Sequence, residues 1–136
     1  MTVDKQTGLG ATITIDDSAG TPVDVSVDLT NWSMATPKGV IEVTGVSQLG
    51  MARLLGLADA SATFNTTFDT GATQSHSVFK SISNTNVART VATVLASQTL
   101  SMEMLLTDYQ IQRDDSAKIT GTVPGVLSDG TPPAWS

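Results

Sequence analysis

The chain has 136 residues, a formal net charge of −6 and no cysteine. This length suits one domain with its own core, and the missing cysteines exclude disulfide bridges and thiolate metal sites. The seven basic residues are scattered without interleaved aromatics, which argues against a protein that grips DNA or RNA through a clustered positive surface.

The composition predicts an all-β domain that is rich in turns. Eleven of the 13 acidic residues are Asp, which favours turns and caps, and the chain contains 21 Thr and 13 Val, which suit pleated strands. The beginning, MTVDKQTGLGATI, has no apolar leader, and no apolar run is long enough for a membrane span. We therefore expect a soluble protein that is made in a cytoplasm and has no membrane contact.

Two alternating runs near the start predict a β-hairpin. Residues 11–16 alternate small or apolar residues with Thr. Residues 23–29 place aliphatic side chains on one face and Asp24, Ser26 and Asp28 on the other. The intervening DDSAGTP is rich in turn residues, so we expect a loop longer than two residues between the two strands.

The middle of the chain is predicted to hold two strands around a short helix. A strand over residues 40–46 follows Pro37. A short helical stretch capped by Ser47 would then place Met51, Leu54 and Leu55 on one face. Residues 58–68 form the clearest strand, because Ala and Phe alternate there with Asp, Ser, Thr and Asn.

The second half is predicted to combine one short helix with three strands. Ser75 is the expected N-cap of a helix whose apolar side chains dock on a sheet. Strands follow over residues 89–95, 99–113 and 118–123. In the second of these, the apolar face changes parity at residues 107–108, which is typical of a β-bulge or a sheet corner.

The tetrapeptide DDSA occurs twice, at residues 16–19 and 114–117. Both copies lie where two predicted strands reverse, and Asp and Ser are turn residues that bond nearby backbone N–H groups. A glycosidase-type acid–base pair instead needs two carboxyl groups that converge on one bond, ~5–9.5 Å apart. We therefore interpret both copies as turns.

The remaining reactive residues predict neither a catalytic nor a metal site. His76 is the only histidine and has no nucleophile motif beside it, so we interpret it as an exposed residue of the first helical turn. No zinc ligand set, EF-hand spacing or phosphate-binding glycine loop is present, although weak calcium binding by a loop such as DDSAGTPVD stays open. We expect no enzyme activity and no cofactor.

Two tryptophans lie in segments that are otherwise small and polar. Trp32 stands in LTNWSMATP, and Trp135 stands in the Pro- and Gly-rich ending GVLSDGTPPAWS. A large apolar ring in such a segment needs a surface to dock on, and this surface is either its own core or a neighbouring subunit. The sequence leaves both open, and we predict that Trp32, Met34 and Trp135 make inter-subunit contacts.

Several segments follow one another in an ordered pattern that covers nearly the whole chain. They are GATITIDDSAG, the run P-x-G-V-x-x-V-T-G at residues 37–45, RLLGLADASATFNTTFD, SHSVFKSI, ARTVATVLASQTLSMEMLLTDYQIQRDD and PGVLSDGTPPAW. This order resembles the tail tube (major tail) proteins of long-tailed bacteriophages, particularly those of actinobacterial hosts.

The resemblance implies an antiparallel β-sandwich or barrel-like tail tube fold with one short flanking helix. It implies a single domain over residues 1–136, with an N-terminal arm at residues 1–10 and a C-terminal tail at residues 125–136. Hexameric rings, whose sheets join into a continuous inner β-barrel, would stack into a tube that conducts the genome to the host. The implied partners are further copies of the chain, the tape-measure protein, and the tail-tip and tail-terminator proteins. The implied location is the virion tail, assembled in the host cytoplasm.

The strand pattern agrees with self-association, because long alternating strands leave unpaired edges that pairing between copies would satisfy. An acidic inner wall would repel phosphate groups, so that DNA passes without specific binding. The candidates for this wall are Asp24, Asp28, Asp59 and Glu103. The alternatives are another virion structural protein, such as a head-decoration or head–tail connector component, and a carbohydrate-binding module, which the few aromatics disfavour.

Overall fold

The computed structural model describes residue 7 and residues 9–72, 74–128 and 130–136. Most of the predicted N-terminal arm therefore lies outside the described residues. Within them, the chain forms strands and very little helix, which confirms the predicted all-β class with one short flanking helix. The elements are β1 (Thr12–Asp16), β2 (Pro22–Asp24), β3 (Leu29–Ala35), β4 (Lys38–Glu42), β5 (Arg53–Ala58), β6 (Ser61–Thr67), α1 (Ser75–Phe79), a 3₁₀ turn (Ile82–Asn84), β7 (Arg89–Leu95), β8 (Gln98–Leu106), β9 (Gln110–Arg113), β10 (Ile119–Leu127) and β11 (Ala134–Trp135).

Nine strands form one antiparallel sheet in the order β2-β1-β7-β8-β10-β6-β3, with β11 on the edge of β8 and β9 on the edge of β10. The sheet folds over between β8 and β10 into two layers. We call β2, β1, β7 and β8 the first layer, and β9, β10, β6 and β3 the second layer. The layers meet through one core; for example, Thr93 Oγ1 of β7 donates to Met34 Sδ of β3 at 3.4 Å. Strands β4 and β5 form a separate two-stranded sheet.

Local alternation correctly predicts several strands. Strand β7 covers the predicted residues, and β6 buries Ala62, Phe64 and Thr66 while its other side chains point outward. The predicted change of parity at residues 107–108 is also confirmed. There β8 ends and β9 begins shortly afterwards, and both strands pair with different parts of β10.

The single strand predicted over residues 23–29 is wrong, because the chain turns within it. The carboxylate of Asp24 accepts hydrogen bonds from Ser26 N at 2.9 Å and from Ser26 Oγ at 2.5 Å, which ends β2. Val25 is then fully buried whereas Val27 is 83% exposed, so the four aliphatic residues do not share a face. Strand β3 begins at Leu29 and belongs to the other layer.

The short helix predicted after Ser47 is also wrong, because Leu54 and Leu55 belong to β5 and pair with β4. The strand predicted over residues 58–68 is divided between β5 and β6. At the break, Asp59 Oδ1 accepts a hydrogen bond from the N–H of Ala60. Strand β10 extends to Leu127, so the first residues of the predicted C-terminal tail belong to this strand.

Helix α1 closes one end of the two layers. Its N-cap is Gln74, without a side-chain cap bond, and the predicted cap Ser75 is instead a buried first-turn residue whose Oγ donates to Thr67 O at 3.0 Å. Val78 and Phe79 are fully buried, as predicted for the docking face. Arg89, the largest fully buried side chain, lies beneath the end of this helix.

Candidate self-association surfaces

The β4–β5 hairpin extends the β3–β6 pair beyond the two layers. The backbone ladder continues through the junction, where Asp59 N donates to Pro37 O at 2.8 Å. Most of its large apolar side chains are exposed in the subunit. Nine large apolar residues of the hairpin and its loop have relative exposures between 47% and 109%: Val40, Ile41, Val43, Val46, Leu49, Met51, Leu54, Leu55 and Leu57.

Both faces of this hairpin are apolar. Val40 pairs across the strands with Leu55, and Ile41 pairs with Leu54. Because successive residues of a strand point to opposite faces, the two pairs lie on opposite sides of the hairpin. A two-stranded hairpin is at best marginally stable alone in water, and an exposed apolar patch of this kind marks an interaction surface.

The two layers differ in the state of their edges. In the first layer, β11 covers the edge of β8, and the outer strand β2 has three residues. In the second layer, β3 pairs with β6, and β9 pairs with β10. The edge of β3 opposite β6 and the edge of β9 opposite β10 have no partner among the described strands. The free edges of the seven-residue strand β3 and of β9, whose four residues are all exposed, can therefore accept a strand from another molecule.

The structure brings Trp32, Met34 and Trp135 together around one apolar groove. The groove has a volume of about 240 Å³ and is also lined by residues of β7 and β8. Trp32 and Met34 pack partly against the core, whereas Trp135 pairs through its backbone with Leu100 and leaves 54% of its surface exposed. Trp135 thus docks on its own subunit, and the predicted inter-subunit contacts of all three stay a prediction.

The four predicted lumen acids do not share one surface. Asp28 is only 5% exposed, and its Oδ2 accepts a hydrogen bond from Ser75 N at 2.9 Å, so we remove it from the set. Burial raises the pKa of Asp28, and the neighbouring Asp69 carboxylate adds to this rise, which the Ser75 N–H opposes. Asp24 and Glu103 lie in outward-facing positions of the first layer, and Asp59 lies between β5 and β6.

The two DDSA copies are turns, as predicted, and the same five-residue turn occurs in both. Asp17 Oδ1 accepts from the N–H groups two and four residues later, each at 2.9 Å. Asp114 Oδ1 does the same at 3.0 and 2.9 Å and also accepts from Ser116 Oγ. These bonds to Ser116 and Lys118 lower the pKa of Asp114. Both carboxylates are thus engaged by their own backbone.

His76 is half-buried, so its interpretation as an exposed residue is corrected. Its ring lies 4.6 Å from that of Phe68, and its Nδ1 lies 3.2 Å from the hydroxyl of Tyr109. Burial raises the pKa of Tyr109. Among the described residues, no three His, Cys, Asp or Glu side chains are grouped to hold a metal ion. The helical part of the described chain includes nothing long and apolar enough to cross a bilayer.

No protein-family model and no curated protein matches this sequence. Solved structures do match it in fold. A chain of the virion of a native gene transfer agent particle aligns with a TM-score of 0.74 at 14% identity, over 97% of this chain and 98% of that one. A chain of the tail of an empty gene transfer agent particle of C6 symmetry aligns with a TM-score of 0.72 at 14% identity, over the same shares of 97% and 98%. At this identity the similarity shows that this chain shares their fold.

Proposed function

We propose that the chain is a non-enzymatic structural subunit that associates with copies of itself into stacked hexameric rings and so forms a virion tail tube. The β4–β5 hairpin is the observation that carries this proposal, since it presents apolar side chains on both faces and these side chains stay exposed in the described part of the subunit. The fold shared with gene transfer agent chains supports the tail tube role, and the C6 symmetry of one of those tails supports hexameric rings.

The finer assignment rests on the ordered sequence pattern described above. We propose a tail of a long-tailed bacteriophage of the type that infects actinobacteria, assembled in the host cytoplasm and used for genome ejection. The further partners in this proposal are the tape-measure protein during assembly and the tail-tip and tail-terminator proteins at the two ends. The DNA passes through the tube without sequence-specific contacts.

The exposed apolar surface is large enough to drive association. Burial of one Val, Leu or Ile side chain contributes ~1.5–3 kcal/mol, whereas association costs ~4–15 kcal/mol in lost translational and rotational freedom. Nine large apolar side chains of the hairpin region are exposed in the subunit. Burial of about half of them would offset this cost. A subunit that stayed monomeric would leave all of them in water.

The test combines electron microscopy with a hairpin variant. The purified parent chain should form rings or hollow rods at high concentration or when seeded. In the double variant Leu54→Ser, Leu57→Ser, the concentration needed for assembly should rise roughly 100-fold or more, because two lost side chains remove ~3–6 kcal/mol. Its thermal unfolding should match the parent, because these side chains are 57% and 89% exposed in the subunit.

A matched control is available at Val27, which is 83% exposed but lies in the turn between β2 and β3. The variant Val27→Ser should assemble like the parent. A parent chain that stays monomeric at high concentration, even beside tail-tip proteins, would exclude the proposed function. Assembly of the double Ser variant at the parent's concentration would show that the hairpin is not the contact surface.

A further inference from the structure

We propose, on the basis of the function proposed above, that the second layer is the wall of the bore and that this wall carries no charge. The free edge of β3 in one subunit pairs with the free edge of β9 in the next. The four strands of each subunit thereby join into one closed barrel. The remaining candidate acids Asp24, Asp59 and Glu103 then lie away from this wall, in contrast to the acidic lining that the sequence suggests.

The strand directions favour this edge pairing. Strand β3 is antiparallel to β6, β6 to β10, and β10 to β9, so β3 and β9 run in opposite directions. Rotation about a ring axis leaves strand directions along that axis unchanged. The β9 edge of one copy therefore meets the β3 edge of the next in the antiparallel sense, and the alternation continues around the ring. An odd number of alternating strands would have placed parallel strands at this junction.

The side of the second layer that faces the bore follows from the position of the rest of the subunit. The inner side of this layer packs on the core, and the first layer lies beyond that core. A barrel closed through β3 and β9 leaves an open bore only when the first layer is outside it. The bore is therefore lined by the outward-facing side chains of the second layer.

Outward-facing side chains of the described second-layer strands include no charged residue. The alternation of burial along each strand and the register between strands identify these side chains. On β9, Ile111 points to the core side, because its Cδ1 would lie 3.5 Å from a Cβ added to the buried Gly121. Its neighbours Gln110 and Gln112 therefore point outward. The set consists of Asn31, Ser33, Ala35, Ser61, Thr63, Asn65, Thr67, Gln110, Gln112, Thr120, Thr122, Pro124 and Val126.

One row of this face crosses the sheet in register, and side-chain hydrogen bonds join it on three of the four strands. Asn31 pairs with Asn65, Asn65 pairs with Thr122, and Thr122 pairs with Gln110, so the row crosses all four strands. Thr122 Oγ1 donates to Asn65 Oδ1 at 3.0 Å, and Asn65 Nδ2 donates to Asn31 Oδ1. These two bonds connect neutral side chains of β3, β6 and β10.

A neutral wall suits the passage of a polyanion. Each phosphate that pairs with Lys or Arg adds affinity and salt-dependent attachment, and the outward face of this layer offers no cation for such a pair, since Arg113 of β9 has the same parity as Ile111 on the core side. Amide and hydroxyl groups can exchange hydrogen bonds with the hydration water of a duplex instead. Asp24 and Glu103, on the first layer, lie on the outside of the tube in this arrangement. Asp59 lies at the base of the hairpin, beyond the end of β6.

Single-thiol labelling tests which face lines the bore. The chain contains no cysteine, so Thr63→Cys on the second layer and Thr14→Cys on the first layer each introduce one thiol, and both threonines are half-buried. Each variant is treated with N-ethylmaleimide or with maleimide on gold particles wider than the tube. In unassembled subunits, both variants should react with both reagents. In tubes, Thr63→Cys should lose all reaction with gold but keep its reaction with N-ethylmaleimide, whereas Thr14→Cys should keep both.

Microscopy of each sample before labelling separates the two proposals. A parent that forms no tube overturns the proposed function and this inference with it. Tubes that bind gold along their shaft through Thr63→Cys, or that protect Thr14→Cys from gold, overturn the inference alone.

Disulfide scanning tests the junction itself. Gln110→Cys is combined in one chain with Asn31→Cys, Ser33→Cys or Ala35→Cys. Within a subunit these positions are at least three strand spacings, ~14 Å, apart, which exceeds the ~7 Å reach of a disulfide. One of the three double variants should therefore give a ladder of linked subunits on a non-reducing gel after oxidation of the tubes, while each single variant stays monomeric. Tubes without a ladder from any of the three would rule out pairing between β3 and β9.

Discussion

Replacement of Arg89 by Met should lower the free energy of unfolding of the isolated subunit by about 2–4 kcal/mol. Arg89 is 1% exposed, and its guanidinium links three segments. Nη1 donates to the carbonyl of Val78 in α1 and to that of Asp16 at 3.4 Å, and Nη2 donates to Ser81 Oγ at 2.9 Å. Helix α1 is thereby attached to β1 and β7.

The expected loss of stability comes from the hydrogen bonds of the guanidinium. Met fills most of the space of the apolar stem of Arg89, so packing changes little, but it offers no hydrogen-bond donor. A hydrogen bond from a charged group contributes ~1.5–3 kcal/mol, and a buried acceptor left without a partner costs ~1–3 kcal/mol. Burial of the charge acts in the opposite direction and lowers the pKa of Arg89, although the nearby Asp17 and Asp16 carboxylates oppose this. The net loss should lower the melting temperature by roughly 10 °C.

Urea unfolding of unassembled subunits, followed by circular dichroism, measures this effect. The control is Arg113→Met on the exposed strand β9, which should change stability by no more than ~0.5 kcal/mol. Arg89→Lys should fall between the parent and Arg89→Met, since one ammonium group reaches fewer of the three acceptors. An Arg89→Met subunit within ~0.5 kcal/mol of the parent, with an unchanged denaturant slope, would refute the view that the guanidinium stabilises the helix attachment.

Three further outcomes are expected from variants of the isolated subunit. Asp28→Asn should be more stable than the parent at pH 7, because burial raises the pKa of Asp28 in the folded state above its ordinary value of 3.8. The ionised carboxylate therefore lowers the stability of the parent at neutral pH. In thermal melts, the difference in stability between Asp28→Asn and the parent should disappear as the pH falls through the pKa of folded Asp28 towards 3.8, because the parent carboxyl then becomes neutral. Ala117→Gly should raise the free energy of unfolding in urea by up to ~1 kcal/mol, because Ala117 has a φ of 67°, a left-handed conformation that glycine adopts without steric strain. A lower free energy of unfolding would contradict this. Gly121→Ala should lower the free energy of unfolding by ~1–3 kcal/mol in the same assay, because an added Cβ would lie 2.8 Å from the Tyr109 ring. An unchanged unfolding midpoint would show that the ring moves freely.

The two DDSA turns and several strands could be predicted from the sequence because their causes are local. The Asp17 and Asp114 turns are closed by hydrogen bonds within five residues. Strand β7 alternates inward and outward side chains over its whole length, and the break after β8 is visible as a change of parity. In each case the residues that determine the conformation are neighbours in the chain.

Two of the errors arose where a distant segment decided the conformation, whereas the strand predicted over residues 23–29 failed because of the local Asp24–Ser26 turn. Leu54 and Leu55 fit one face of a helix by spacing, but β4 pairs with them and makes them a strand with opposite faces. Asp28 fits a polar face by alternation, yet the N-terminus of α1, 47 residues away, binds its carboxylate and holds it in the interior. Periodicity describes one segment at a time and has no information about the partner.

The sequence by itself determined that the chain is β-rich, acidic and free of cysteine, and it placed the two DDSA turns, because composition and short-range hydrogen bonding suffice for these properties. Only the tertiary structure decided which faces and edges stay open. Asn31, Asn65, Gln110 and Thr122 come from four strands and form one neutral row solely because the antiparallel register aligns them. The exposure of both faces of the β4–β5 hairpin is likewise a property of the folded subunit, since it depends on where the two layers end.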